Sequence, residues 1–150
     1  MQRTQGISAV QLKAAFSSEI LLKAAAEVLA IWQAEIELPH LQVVWNNRLR
    51  TSGGRALLRE QVVELNPRLL AKNTQFIETV LIHELAHLVA TARFGRVKAH
   101  GAEWQQLMIE AGQSPEVRHT MDASEFYYRR RRPRPTIDSF IRRIIKRLIK

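Results

Sequence analysis

Residues 74–94, TQFIETVLIHELAHLVATARF, constrain this chain more than any other stretch. Apolar residues fall on nearly every face of the helix that this segment predicts, so the helix has to lie inside the domain rather than on it. Yet His83, Glu84 and His87 stand within five consecutive positions of it. Three ionisable groups inside a buried helix are costly to desolvate unless something satisfies them. The fold therefore has to bring a partner to this helix, either hydrogen bonds for its histidines or a bound ion.

The spacing favours an ion. Residues four apart share one face of a helix, one turn from each other. His83 and His87 can therefore aim ring nitrogens at one metal, at the roughly 2.0–2.1 Å that zinc prefers. Glu84, beside the first of them, can reach a water on the open side of that metal. Zinc lowers the pKa of such a water to about 7, and a carboxylate there can take its proton.

A catalytic zinc normally has three protein ligands and one open position. The chain has no cysteine, so any further ligand is a histidine or a carboxylate, and disulfide scaffolds and cysteine-based zinc ribbons are excluded. His100 is the best third ligand, because Gly95 lets the chain turn after the helix and Gly101 allows close backbone approach. Glu103, one turn further on, is the rival ligand or a partner behind the ligands. His40 and His119 lie outside the pattern and read as ordinary.

The rest of the chain supplies one α+β domain. Residues 8 to about 36 read as one long helix, with Ser8 and Gln11 at capping-box distance. LQVVWNNRLR, TSGGR and ALLREQVVELN read as a small antiparallel hairpin, roughly 41–50 against 55–65, closed by Pro67. GAEWQQLMIEAG predicts another helix ending at Gly112. The chain's 150 residues suit one such domain, placed at 1–125. No signal peptide or membrane-spanning run is seen, and the expected compartment is the cytoplasm.

Charge separates a second region, 126–150. The chain's net charge is +9, and residues 129–150 hold ten of its 23 basic residues against one acid, Asp138. FYYRRRRPRP reads as an extended basic linker with Arg129, Arg130, Arg131, Arg132 and Arg134. IDSFIRRIIKRLIK follows as a basic amphipathic helix, with Arg142, Arg143, Lys146 and Arg147 opposite a face of Ile, Phe and Leu. These charges suit phosphate contacts with DNA, and Phe126, Tyr127 and Tyr128 suit stacking on unpaired bases. The apolar face needs a cover. The candidates are the body of the chain, a second copy, or an anionic membrane surface.

VVWNNRLRTSGGRA, VELNPRLL, HELAHLVA and FGRVKAHGAEW, taken in that order from about Leu41 to Gly112, resemble the SprT-like family of zinc metalloproteases, which includes SprT and Spartan. The resemblance implies a zincin-like α+β domain with one zinc ion per chain. It also implies that His83, His87 and His100 are the ligands and that Glu84 is the general base. Hydrolysis of peptide bonds in DNA-associated proteins is the activity it implies. The cysteine-rich zinc ribbon that follows this domain in many SprT proteins has no counterpart here, where the basic tail stands instead. A non-enzymatic nucleic-acid-binding protein with a structural metal site is the alternative.

Overall fold

The computed structural model of the protein describes residues 7–116 and residue 121. His119 and the whole basic region 126–150, including Arg129 to Arg134, Arg142, Arg143, Lys146 and Arg147, lie outside the described residues.

Two helices open the chain where one was expected: α1, Ala9–Ala15, and α2, Ser18–Trp32. Ser8 and Gln11 close the capping box that the sequence suggests. Apolar spacing runs on through Phe16 and Ile20, which is why the segment reads as continuous, but Ser17 caps a new helix by accepting from the Ile20 amide at 3.3 Å. Trp45 takes the carbonyl released at the break, its Nε1 donating to Phe16 O at 2.8 Å. α2 stops short of residue 36 because Gln33 turns left-handed at φ 51°. Arg93 then ties that end down, donating to Trp32 O at 2.8 Å while its guanidinium grips Glu37 at 2.9 and 3.0 Å.

Strands β1 (Gln42–Trp45), β2 (Gly54–Leu57) and β3 (Val62–Leu65) form one sheet in the order β1-β3-β2. The expected hairpin of 41–50 against 55–65 is corrected here. β1 pairs with β3, in parallel, and the antiparallel hairpin is β2 with β3. TSGGR reads as a tight turn but does other work. Asn66 holds that loop open, its Nδ2 donating to Arg50 O and Ser52 O, and its amide to Gly53 O at 2.8 Å. The turn that does reverse the chain, residues 58–61, carries neither glycine nor asparagine and uses a left-handed Gln61 instead, φ 56°. Asn66 also caps a short helix α3, Pro67–Lys72, accepting from the Arg68 and Leu69 amides at 3.1 Å each. Proline at the first helical position costs no hydrogen bond, so Asn-Pro opens this helix as well as closing the sheet.

A 3-10 turn, Thr74–Phe76, leads into α4, Ile77–Phe94, and α5 follows at Ala102–Glu110. α4 is buried along ten of its 18 residues, as its composition requires. It ends at Gly95, whose φ 74° and ψ −140° fall where only glycine is at ease. Around α4 pack Leu21, Val28, Leu29 and Trp32 from α2, Val63 and Leu65 from β3, and Leu107 and Met108 from α5. Trp32 Nε1 donates to Leu107 O at 2.9 Å, joining α2 to α5 across the core. Among the described residues no helix is long and apolar enough to cross a membrane.

Candidate metal centre

α4 carries His83 and His87 on one face, and the turn after Gly95 returns His100 to that face. His100 itself is left-handed, φ 58°, a conformation that non-glycine residues adopt rarely and usually under constraint. Gln105 steadies it by donating from Nε2 to His100 O at 3.0 Å. The next residue, Gly101, runs so close to the Lys98 carbonyl that a Cβ there would sit 2.9 Å from it. This is the close backbone approach expected of that glycine.

The result is a cluster of three imidazoles. His100 Nε2 lies 3.1 Å from His83 Nε2 and 3.1 Å from His87 Nε2, and one ligand atom from each residue falls within 4.8 Å of the others. Hydrogen bonding alone accounts poorly for this. A ring nitrogen offers one proton or one in-plane lone pair, yet His100 Nε2 faces two nitrogens at once. A shared metal ion accounts for it well. Two nitrogens held at about 2.0–2.1 Å by one tetrahedral zinc stand roughly 3.3 Å apart. The donor set is thus able to hold a metal ion.

The protonation states agree with that use. Burial, and then repulsion from His100, push His87 down to about 4, and burial lowers His100 as well. Both rings are neutral near pH 7, with lone pairs available. Glu84 moves the other way: burial raises its carboxyl to about 7, and a hydrogen bond from the Ala56 amide offsets part of that rise. Glu84 shares a cleft of about 360 Å³ with the three histidines, bounded on its other side by Gly54, Ala56 and Leu58. Glu103, the rival ligand, is half-buried near Gly101 and is not a member of the three-histidine group. His40 is exposed on the loop before β1.

Two parts of the site are not singled out by the sequence reading. Trp104, buried in the first turn of α5, places its ring 4.8, 5.7 and 4.7 Å from those of His83, His87 and His100. Its Nε1 donates to His83 O at 3.1 Å, fixing α5 to the motif helix. Its position in the first turn of the helix that directly follows His100 and Gly101 was the available signal. The second is β2. A Cβ on Gly54 would stand 2.9 Å from both Glu84 Cγ and Val80 Cγ1, and 3.0 Å from Glu64 O. The glycine pair read as a turn is what lets the strand lie directly on α4 and bring the Ala56 amide to Glu84.

The family model described as the SprT-like family matches residues 19–123, most of the chain. The chain belongs to the SprT-like family. Curated SprT-like relatives include Protein SprT of Pasteurella multocida (strain Pm70), 48% identical over 73 residues, covering 47% of this chain and 44% of the relative. Protein SprT of Serratia proteamaculans (strain 568) is 45% identical over 74 residues, 49% of this chain and 43% of the relative. Protein SprT of Escherichia coli (strain K12 / DH10B) is 51% identical over 59 residues, 39% of this chain and 36% of the relative. The chain spans less than half the length of these relatives. No solved structure matches it. A SprT-like, metalloprotease-like fold thus carries a histidine cluster able to hold a metal ion.

Proposed function

We propose that this chain is a zinc-dependent peptidase, with His83, His87 and His100 as the metal ligands and Glu84 as the general base. The observation that carries this reading is the convergence of three Nε2 atoms at 3.1 Å contacts beside a carboxylate in the same cleft. Three imidazoles suit zinc among the divalent ions, and a three-histidine set leaves one position open. Bound there, zinc supplies Lewis acidity, polarising a scissile carbonyl and acidifying water.

The chain's own groups do the rest. Glu84 accepts the proton of the attacking water on a carboxylate oxygen and delivers it to the departing amide nitrogen. A carboxylate in the same cleft as the ligands is placed to do both. The Ala56 amide fixes the carboxylate's orientation, and Trp104 holds the histidine rings in register. The substrate class we propose is protein associated with DNA, reached through the basic charges of residues 129–147. Support for this part comes from the chain's charge distribution and the family resemblance.

The non-enzymatic alternative needs a closed site with Glu103 as a fourth ligand, and Glu103 lies outside the cluster. The test is Glu84→Gln in the zinc-loaded full chain, assayed on casein and on a DNA-binding protein with and without single-stranded DNA. The variant should keep its zinc and its DNA affinity and lose cleavage of both substrates. Cleavage at the wild-type rate in that variant contradicts the mechanism.

A further inference from the structure

An apolar opening lies away from the histidines. It is a groove of about 540 Å³ between α2 and the start of α4. Phe16, Ile20, Ala24 and Ile31 form one wall at helical spacing, and Ile77 and Leu81 form the other. Ile20 and Ile31 remain 49% and 55% exposed, so this wall keeps apolar surface uncovered among the described residues. Two acids, Glu27 and Glu78, stand exposed at its rim. None of these residues lines the histidine cleft.

We propose that residues 137–149 of this same chain occupy the groove. Three properties match. The wall follows α2, whose 15 residues extend about 22 Å, and 13 residues in helical form extend about 20 Å. The segment presents Ile137, Ile141, Ile144, Ile145 and Leu148 on one face, at the i, i+3, i+4 spacing that seats a helix between two others. Its remaining faces carry Arg142, Arg143, Lys146 and Arg147, which meet an acidic rim and not a basic one.

The tether also permits it. Beyond α5 the chain returns along α4, where Thr79 Oγ1 donates to Gln113 Oε1 at 3.0 Å. Met121 reaches the same helix: a Cβ on Gly53 would lie 2.8 Å from Met121 Cε and 3.1 Å from Val80. Val80 is adjacent to Leu81 of the groove wall. The residues between Met121 and Ile137 can extend up to about 50 Å, so reach does not limit docking. Docked this way, the apolar face is covered, the histidine cleft stays open, and the basic residues of 129–147 that do not face the rim are left for phosphates.

The test uses the full chain with isoleucine methyls isotopically labelled. A nitroxide is attached at Lys23→Cys or, separately, at Ala30→Cys, both exposed positions on α2. The natural chain has no cysteine, so the label has no other site. Each label should broaden the methyls of Ile137, Ile141, Ile144, Ile145 and Ile149, strongest at opposite ends of the segment. Adding Ile20→Asp and Ile31→Asp should abolish the broadening while the methyl of Ile82, buried in α4 and outside the groove lining, keeps its shift. Segment methyls unaffected by either label overturn the proposal. Broadening seen only when spin-labelled and isotope-labelled chains are mixed overturns it in favour of a second copy. Segment methyls that neither label broadens in solution, but that are lost when phosphatidylserine–phosphatidylcholine vesicles are added, overturn it in favour of a lipid surface.

Discussion

Removing the charge of Glu84 should stabilise the metal-free fold, and the gain should depend on pH. Burial raises this carboxyl from 4.5 to about 7 in the folded chain. Between those values the folded chain holds a proton that the unfolded chain has released, so stability falls as pH rises through the window, and the full cost stands above pH 7. A shift from 4.5 to about 7, at about 1.4 kcal/mol per unit, amounts to roughly 3 kcal/mol. Glu84→Gln keeps the size and an acceptor for the Ala56 amide but cannot ionise. Urea unfolding of both proteins in chelator, from pH 4.5 to 8, isolates the effect, because every other titrating group is common to the two. The stability difference should grow by about 3 kcal/mol in favour of the variant between the two ends. A difference that stays flat across that range would show that burial does not hold Glu84 protonated in the metal-free chain.

Other consequences follow from neighbouring contacts. Trp104→Phe removes the 3.1 Å bond to His83 O and should cost about 1–2 kcal/mol by thermal or urea unfolding, together with weaker zinc retention in a competition assay. Gly54→Ala places a Cβ 2.9 Å from Glu84 Cγ and against the Glu64 carbonyl, so it should cost about 1–3 kcal/mol and reduce cleavage while zinc content stays at the wild-type level. Gly53→Ala is the milder control, because its Cβ would meet first the movable end of Met121 at 2.8 Å. With His87 near 4 and His100 also lowered, zinc affinity should fall less from pH 7.5 to 5.5 than ligands of ordinary pKa would dictate. Two histidines of ordinary pKa would lose about a hundredfold over that range, and a loss of that size by competition titration would contradict the assignment.

The site was legible because its chemistry sits in short spans. His83, Glu84 and His87 lie about one turn apart on one helix, so spacing alone brings them together, and His100 follows behind a glycine that marks where the helix ends. The sheet was less legible because its glycines have two uses. Gly53 and Gly54 read as a turn, yet the structure uses their missing side chains to let β2 lie on α4, and the true turn runs through Gln61 with no sequence mark. Pairing of β1 with β3 is non-local and is set by Asn66 holding the intervening loop, which no periodicity reveals. The break at Ser17 was missed for a similar reason. Both helices keep the same apolar spacing, and only the capping serine and Trp45's bond to Phe16 O distinguish two helices from one. α3 was passed over too, Pro67 being read only as the end of the hairpin, although Asn66-Pro67 is an N-cap followed by proline at the first helical position.

The most direct test of the account is the metal content of the purified full chain and of His100→Ala, by elemental analysis after zinc supplementation and desalting. The three Nε2 atoms at 3.1 Å contacts predict close to one zinc per wild-type chain and a sharp loss in the variant, with the fold retained by circular dichroism. A wild-type chain that holds no zinc, or a His100→Ala chain that holds as much as the wild type, would contradict the three-histidine centre on which the proposed chemistry depends.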